Sequence, residues 1–181
     1  MQALTTLVVS IINIYLMVIV IRIWLQLARA DFYNPFSQFV VKATQPVVGP
    51  LRRFIPSIGK LDTASVVFAI VVSIIKVLVY HGMLTGSLPP IVPLIMVSLM
   101  GLVKSVLWMI FWVMVIKAIL SWVSQGNNPM ELVIAQLTEP LLTPIRKILP
   151  PMGGLDLSVL VFLLLLQFVI NLLTGIFGPT I

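Results

Sequence analysis

Four apolar stretches dominate the sequence, and each is long enough to cross a lipid bilayer as a helix. The hydrocarbon core of a bilayer takes about 20 helical residues to span. Lipid leaves no backbone group unpaired, and none of the stretches has the alternating pattern of a barrel strand, so each of them has to be helical. The sequence therefore predicts an all-α membrane protein with transmembrane helices over about residues 4–27, 64–84, 94–122 and 157–177.

The composition excludes a soluble enzyme. Of the 181 residues, 60% are hydrophobic and 9% are charged, whereas about a quarter of the residues in a soluble domain are charged. A chain of this length could not bury that much apolar surface in water. Cysteine is absent and His81 is the single histidine, which leaves no recognisable catalytic or metal-binding set. We therefore expect a non-enzymatic protein without a cofactor or a metal.

The distribution of Lys and Arg predicts the orientation in the membrane. Residues 22–60 hold six of the eleven basic residues and residues 117–147 hold three, whereas both termini and the turn at residues 81–93 hold none. The positive-inside rule then puts both basic connections in the cytoplasm and both termini outside. In a membrane protein the net charge of +6 indicates contact with anionic phospholipid at the cytoplasmic face rather than with nucleic acid.

The two halves of the chain repeat one another. Among the positions that recur 94 residues later with the same residue type, eight define a motif shared by the two halves. We interpret the chain as a tandem duplication of residues 1–88 and 89–181, in which both repeats are helical hairpins that enter the membrane in the same direction. The repeated positions pair Asn34 with Asn128, Pro35 with Pro129, Pro46 with Pro140, Pro50 with Pro144, Arg52 with Arg146, Pro56 with Pro150, Gly59 with Gly153 and Asp62 with Asp156.

Between its two spans, each repeat has an insert that opens with Asn-Pro. Asn is a preferred N-cap and Pro is favoured at the first helical position. The inserts predict amphipathic helices over about residues 35–45 and 129–139, which end before Pro46 and Pro140 because the residue preceding proline disfavours helix. Such helices are too short to span the membrane. They either lie at the cytoplasmic headgroups or form half of a re-entrant hairpin, and their polar faces favour the first arrangement. Their apolar stripes are Phe36, Phe39, Val40 and Ala43, and Met130, Val133, Ile134 and Leu137.

A proline-rich segment follows each predicted helix. Because proline fixes φ and removes a backbone donor, residues 46–60 and 140–155 are predicted to be stiff, extended, basic loops. They hold two basic pairs near the inner leaflet, where each cation gains about 1 kcal/mol from anionic lipid. Either these residues only anchor the protein and set its topology, or they bind lipid phosphates or the acidic groups of a partner. The pairs are Arg52-Arg53 and Arg146-Lys147.

Charged residues also stand at the ends of the predicted spans. Asp62 and Asp156 precede the second and fourth spans, where an Asp can accept hydrogen bonds from the first helical N–H groups or pair with the neighbouring Arg. We expect capping. Arg22 and Lys117 stand near the cytoplasmic ends of the first and third spans, each with a Trp nearby, and are expected to be interfacial anchors.

Five polar side chains fall inside the spans at similar depth, and they could form one polar layer. Ionisable groups at membrane depth are candidates for function. No carboxylate is predicted at this depth, so two ammonium groups without compensation would repel K⁺ or Na⁺. The alternative for each Lys is that its long stem carries the ammonium group toward the outer headgroups, and the amides can bond between helices. The five residues are Asn13, Lys76, Lys104, Gln167 and Asn171.

The repeated Asn-Pro pairs, the PxxxPxR segments and the sequence Gly-Gly-Leu-Asp156-Leu-Ser158 closely resemble the YggT family of integral membrane proteins. The resemblance covers residues 16–66 and 114–161, and this chain looks like the double-repeat proteobacterial form. It implies a multi-pass protein of the bacterial inner membrane. Proteobacterial relatives are associated with tolerance of osmotic shock and with potassium handling. Single-repeat relatives in plastids are associated with cytochrome b assembly and nucleoid organisation, and Gram-positive relatives occur near division genes.

Two hypotheses of function remain. In the first, the protein is a membrane scaffold or assembly factor, for example for a cytochrome, whose basic inserts bind a membrane-protein partner or anionic lipid. In the second, it is a small channel, transporter or transport modulator in osmotic adaptation. The polar layer without carboxylates favours the scaffold. Four spans make a narrow bundle, so a pathway would require a homo-oligomer.

Overall fold

The structure, a computed structural model, describes residues 2–123, 128–148 and 157–178. These residues form six helices, and four of the six, α1, α3, α4 and α6, are long and apolar enough to cross a membrane. The prediction of an all-α membrane protein with four candidate spans is thereby confirmed. The helices are α1 Gln2–Leu27, α2 Pro35–Phe54, α3 Thr63–Thr85, α4 Ile91–Val123, α5 Pro129–Ile148 and α6 Leu157–Phe177.

Polar contacts near the helix ends fix the relative directions of the four long helices. Arg22 near the end of α1 lies 3.8 Å from Asp62, the residue before α3, so these two helices are antiparallel. Lys104 in the first half of α4 donates to the carbonyl of Gly178, just past the end of α6, so α4 and α6 are antiparallel too. The short turn between α3 and α4 makes a third antiparallel pair. It follows that α1 and α4 run in one direction and α3 and α6 in the other.

Among the described residues, the apolar core has three clusters. One joins α1, α2 and α3 around Leu16 and Val48, and another joins α4, α5 and α6 around Met114 and Leu142. The third holds the two halves together, because residues of α1, α2, α4 and α5 all contribute to it. Large apolar side chains also cover much of the outer surface of the long helices, for example Phe168, which is 65% exposed. Such a surface is suited to contact with lipid.

The prediction that the insert helices end before Pro46 and Pro140 is wrong. Helices α2 and α5 continue through two prolines each and end at Phe54 and Ile148, so residues 46–54 and 140–148 are not extended loops. A proline inside a helix removes the hydrogen bond to the carbonyl four residues earlier. All four prolines are exposed, so the missing hydrogen bonds lie on the outer side of α2 and α5 rather than in the core. The cost of the missing bonds is therefore small enough for core packing to keep the helix intact.

The predicted apolar stripe of α2 is also partly wrong. Val40 is buried, but Phe39 is 62% exposed, and the fully buried side chains on the inner face include Ser37 and Thr44. The Thr44 hydroxyl donates to the carbonyl of Val40 at 2.8 Å, so burying it leaves no donor unsatisfied. In α5, Val133, Ile134 and Leu137 of the predicted stripe are buried, together with Thr138, but Met130 is 36% exposed.

The two Asn-Pro pairs begin α2 and α5 as predicted. The Asn34 side chain accepts a hydrogen bond from the backbone N–H of Phe36 at 2.9 Å, and the Asn128 side chain accepts one from Met130 at 2.9 Å. Asn34 has a second role, because its amide donates to the carbonyl of Pro129 at 2.6 Å. The starts of α2 and α5 therefore touch, and Asn34 links the two halves of the chain.

This difference between the two caps predicts unequal effects of truncation. Asn34→Ala removes a buried cap and a hydrogen bond between the halves, so it should lower the free energy of unfolding by about 2 kcal/mol. Asn128→Ala removes an exposed cap alone and should cost about 1 kcal/mol. Unfolding by titration of a denaturing detergent in mixed micelles would measure both values. Equal losses would show that the contact between Asn34 and Pro129 adds nothing to stability.

Candidate functional site

A buried ionic cluster joins the end of α1, the middle of α2 and the start of α3. Asp62 is at its centre, with a side chain that is 0% exposed. Arg52 donates to Asp62 from Nη2 at 2.5 Å and from Nε at 3.2 Å, and the hydroxyl of Ser65 donates to the same carboxylate at 2.6 Å. Arg22 lies on the other side of Asp62 and donates to the Thr44 hydroxyl at 2.6 Å.

The carboxylate of Asp62 is charged at neutral pH despite its burial. Removal from water tends to raise the pKa of this group, but hydrogen bonds from Arg52 and Ser65 and the positive charges of Arg52 and Arg22 lower the pKa below its ordinary value. The prediction that Asp62 caps α3 with its side chain is wrong. The alternative prediction, that Asp62 pairs with a neighbouring Arg, is confirmed, because the Asp62 carboxylate accepts hydrogen bonds from Nη2 and Nε of Arg52.

The second half of the chain has a related but more exposed cluster. Lys117 donates to the Thr138 hydroxyl at 2.9 Å and to the Glu139 carboxylate at 3.3 Å, as Arg22 donates to Thr44 in the first half. Glu139 also pairs with Arg146, and its side chain is 48% exposed. Asp156, the sequence counterpart of Asp62, lies outside the described residues.

The prediction that Arg22 is an interfacial anchor is therefore wrong. The Arg22 side chain is 4% exposed, because Asp62, Thr44 and the side-chain oxygen of Gln45 take up its charge and its donors. Lys117 also points into the protein, toward Thr138. Sequence reasoning missed Thr44 and Thr138 as partners of these cations, although the two threonines are 94 residues apart like the other repeated positions.

In each predicted basic pair, the first residue forms an ion pair within the protein and the second is exposed without one in the part of the chain that the structure describes. Arg52 and Arg146 form ion pairs within the protein. Arg53 and Lys147 are exposed, and so are three other cations of the connecting segments. Across residues 2–123, 128–148 and 157–178, the charged groups of five basic side chains form no hydrogen bond or ion pair: Arg29, Lys42, Arg53, Lys60 and Lys147.

Exposed apolar side chains accompany these cations. Phe54 is 83% exposed and Ile58 is 73% exposed, close in sequence to Arg53. On α2, an outer face with spacings of three and four residues carries both cations and aromatic or proline rings. We call this surface the outer α2 face, and it consists of Phe39, Lys42, Pro46, Pro50 and Arg53. Basic and aromatic residues on one face are typical of helices that lie at a membrane surface.

Three of the five predicted intramembrane polar residues line one cavity. It has a volume of about 440 Å³ and lies between α1 and α4, with Lys76 of α3 at its wall. Lys76 donates to the side-chain oxygen of Asn13 at 3.3 Å, and Lys104 lines the same cavity. Gln167 and Asn171 do not belong to this layer, because they pair with each other on α6 at 3.4 Å on an exposed surface.

Comparison with known proteins identifies the family. The sequence model of the CCB3/YggT family matches residues 1–83 and 96–177. The chain is 52% identical over 180 residues to an uncharacterised protein in the proC 3′ region of Vibrio alginolyticus, covering 99% of this chain and 97% of that one. It is 50% identical over 173 residues to YggT of Escherichia coli (strain K12), covering 95% and 89%. No solved structure matches. On the family match and these identities, the chain belongs to the CCB3/YggT family.

Proposed function

We propose that this protein is a non-enzymatic accessory or scaffold factor of the bacterial inner membrane, which acts through the basic surface of its two connecting segments. The observation that carries the proposal is the set of exposed cations without partners among the described residues, two of which, Lys42 and Arg53, lie with the exposed Phe39 on the outer α2 face. Cations in a stable fold are commonly paired or solvated singly. A face that combines unpaired cations with large apolar side chains fits a charged, partly apolar ligand such as anionic lipid or an acidic partner at the membrane surface.

The proposed topology places this surface in the cytoplasm. Nine of the eleven basic residues fall in residues 22–60 and 117–147, and cytoplasmic segments carry the excess of Lys and Arg. Both termini then lie in the periplasm. The matching directions of α1 and α4, and the matching contacts of Arg22 with Thr44 and of Lys117 with Thr138, support two repeats that enter the membrane in the same sense.

Within this proposal, α2 and α5 are interfacial helices rather than halves of re-entrant hairpins. The exposed prolines leave carbonyl groups without intrahelical partners, and such groups need water or headgroups around them. An interfacial position also puts Arg53 and Lys147 beside the headgroups of anionic phospholipid. Arg52 and Arg146 stabilise the fold through their ion pairs.

The proposal predicts a loss of binding when the exposed cations are neutralised. Arg53→Gln with Lys147→Gln should weaken association with an acidic partner or anionic lipid on the order of tenfold, because each cation near the surface contributes about 1 kcal/mol. Crosslinking in native membranes, quantified by recovery of the crosslinked species, would measure the loss. Arg53→Lys with Lys147→Arg keeps both charges and is the matched control. If the neutral variant gave unchanged recovery, Arg53 and Lys147 would only anchor the protein in the membrane and would not bind a partner or lipid.

The cellular role that we propose is support of osmotic adaptation and potassium homeostasis, as in the relatives that the sequence resembles. Growth after an osmotic upshift, in a strain that lacks the protein and carries the neutral or the charge-retaining variant, would test it. Equal growth of the two strains would show that osmotic adaptation does not depend on the charge of Arg53 and Lys147.

A second candidate function is a small oligomeric channel or transporter, and the intramembrane cavity is the observation that favours it. Two Lys side chains line the cavity and no carboxylate is among its lining residues, so the cavity suits an anion better than K⁺. Purified protein in liposomes would distinguish the two functions. A flux of K⁺ or of an anion such as Cl⁻ well above that of empty vesicles, abolished by Lys76→Ala or Lys104→Ala, would contradict the scaffold.

A further inference from the structure

The cavity that contains the two intramembrane Lys residues has the dimensions and the wall of a binding site. Its volume of about 440 Å³ lies in the range of small-molecule sites, which is about 300–1,000 Å³. One wall is aromatic, and the other carries polar groups from α1, α3 and α4. The side chains that matter are Ser10, Asn13, Lys76, Lys104, Trp108 and Trp112.

Both ammonium groups of the cavity lack a negative partner. Lys76 is 2% exposed and Lys104 is 8% exposed. Lys76 donates to the neutral side chain of Asn13, and Lys104 donates to the backbone carbonyl of Gly178 at 2.7 Å. Among the residues that the structure describes, neither Lys forms an ion pair. Burying a cation without a counter-charge is costly, so these two groups favour an anion in the cavity between them.

The cavity opens sideways toward the bilayer. Ser10, Ile14 and Trp112 at its edge are exposed on the surface of the helix bundle. Its depth follows from the helices around it: Lys76 is nine residues before the end of α3, which is about 14 Å. Lys104 reaches the carbonyl just past the end of α6. The cavity therefore lies in the leaflet on the side of the chain termini, opposite the basic connecting segments.

We propose that this cavity binds a phosphate oxyanion carried by the headgroup of an anionic phospholipid in that leaflet. Lys76 and Lys104 supply the charge, and Asn13 and Ser10 supply neutral hydrogen-bonding groups. Trp108 and Trp112 lie about one and two turns beyond Lys104 on α4, where they would contact the acyl chains of the bound lipid. Inorganic phosphate carries the same oxyanion, so the test has to distinguish a lipid from a free ion. The proposal does not depend on the basic surface of α2 and α5.

Tryptophan fluorescence can test the site directly. The chain has four Trp residues, so a variant with Trp24→Phe and Trp122→Phe reports from the cavity alone. In vesicles with brominated acyl chains, a bound lipid quenches Trp108 and Trp112. We expect brominated phosphatidylglycerol in a phosphatidylcholine membrane to bind with a preference on the order of tenfold over brominated phosphatidylcholine in the same mixture. We also expect Lys76→Gln with Lys104→Gln to abolish the preference.

Two controls fix the interpretation. Lys76→Arg with Lys104→Arg keeps both charges and should keep most of the preference, and Arg53→Gln with Lys147→Gln should leave it unchanged. Inorganic phosphate added during the titration should not displace the brominated lipid. Displacement by phosphate would assign the cavity to the free oxyanion and overturn the lipid as its carrier. Equal quenching by the two brominated lipids in the protein with both Lys residues would overturn the site, whether or not the Gln variant folds.

Discussion

Asp62→Asn should lower the free energy of unfolding by about 3–5 kcal/mol, which is typical when one member of a buried ion pair is removed. The Asp62 side chain is 0% exposed and lies between Arg22 and Arg52. The amide keeps the shape of the carboxylate but leaves two cations without a counter-charge, one of which is buried. Unfolding in mixed micelles, followed by circular dichroism as a denaturing detergent is added, would measure the loss.

Glu139→Gln is the matched control, because Glu139 pairs with Lys117 and Arg146 in the second half. Its side chain is 48% exposed, and exposed ion pairs contribute about 0–1 kcal/mol. We therefore expect a small loss for this variant and a large one for Asp62→Asn. If the two variants lost the same stability, water rather than Asp62 would be stabilising the charge of Arg22, contrary to the burial in the structure.

A single introduced cysteine should react with a membrane-impermeant maleimide from one side of the membrane only. The chain has no native Cys, so each variant gives one signal. Ser87→Cys, in the exposed turn between α3 and α4, should be labelled in intact spheroplasts. Ile58→Cys and Thr143→Cys should be labelled only after the membrane is opened, because the basic segments that contain them are expected in the cytoplasm.

One labelling result would contradict the proposed topology. If Ile58→Cys and Thr143→Cys reacted from opposite sides, the two halves would enter the membrane in opposite senses, and the proposed basic surface would not exist as one surface. Such a result would also contradict the common direction of α1 and α4 in the structure. Gel mobility after reaction with a polyethylene glycol maleimide would measure the labelled fraction.

The four spans could be predicted from the sequence because every backbone group within the hydrocarbon of a membrane has to be paired. A helix of about 20 apolar residues is the simplest way to pair all backbone groups in hydrocarbon, so the four stretches could be recognised without knowledge of tertiary contacts. The two N-caps were predictable for a similar reason, since Asn34 and Asn128 bond to backbone groups two residues away.

The prolines were misread because their cost depends on where the missing donor points. Local rules end a helix before Pro46, but they contain no information about tertiary packing. In the structure Lys42, whose carbonyl loses its donor, is on the exposed side of α2, and Val48 packs against Leu16 in the core. The benefit of burying the inner face of α2 over five turns comes from tertiary contacts. A pattern read along the chain cannot weigh it against an unpaired carbonyl.

The ionic cluster was misread because its members are far apart in sequence. Arg22 and Asp62 are forty residues apart, and nothing local to Arg22 distinguishes a buried cation from one that reaches the headgroups. The intramembrane layer was predicted in part, since Asn13, Lys76 and Lys104 do meet at one cavity. Depth alone placed Gln167 and Asn171 with them, but depth does not specify the side of the helix on which a residue lies.

The unequal lengths of α4 and α6 have a mechanical consequence. Helix α4 has 33 residues and α6 has 21, which correspond to about 50 Å and 32 Å, against a hydrocarbon thickness of about 30 Å. The contact of Lys104 with Gly178 fixes the end of α6 well inside the start of α4. The surplus of α4 must therefore tilt or stand clear of the lipid. Swelling or stretching a membrane thins it, so lateral tension would bear unequally on these two neighbouring helices.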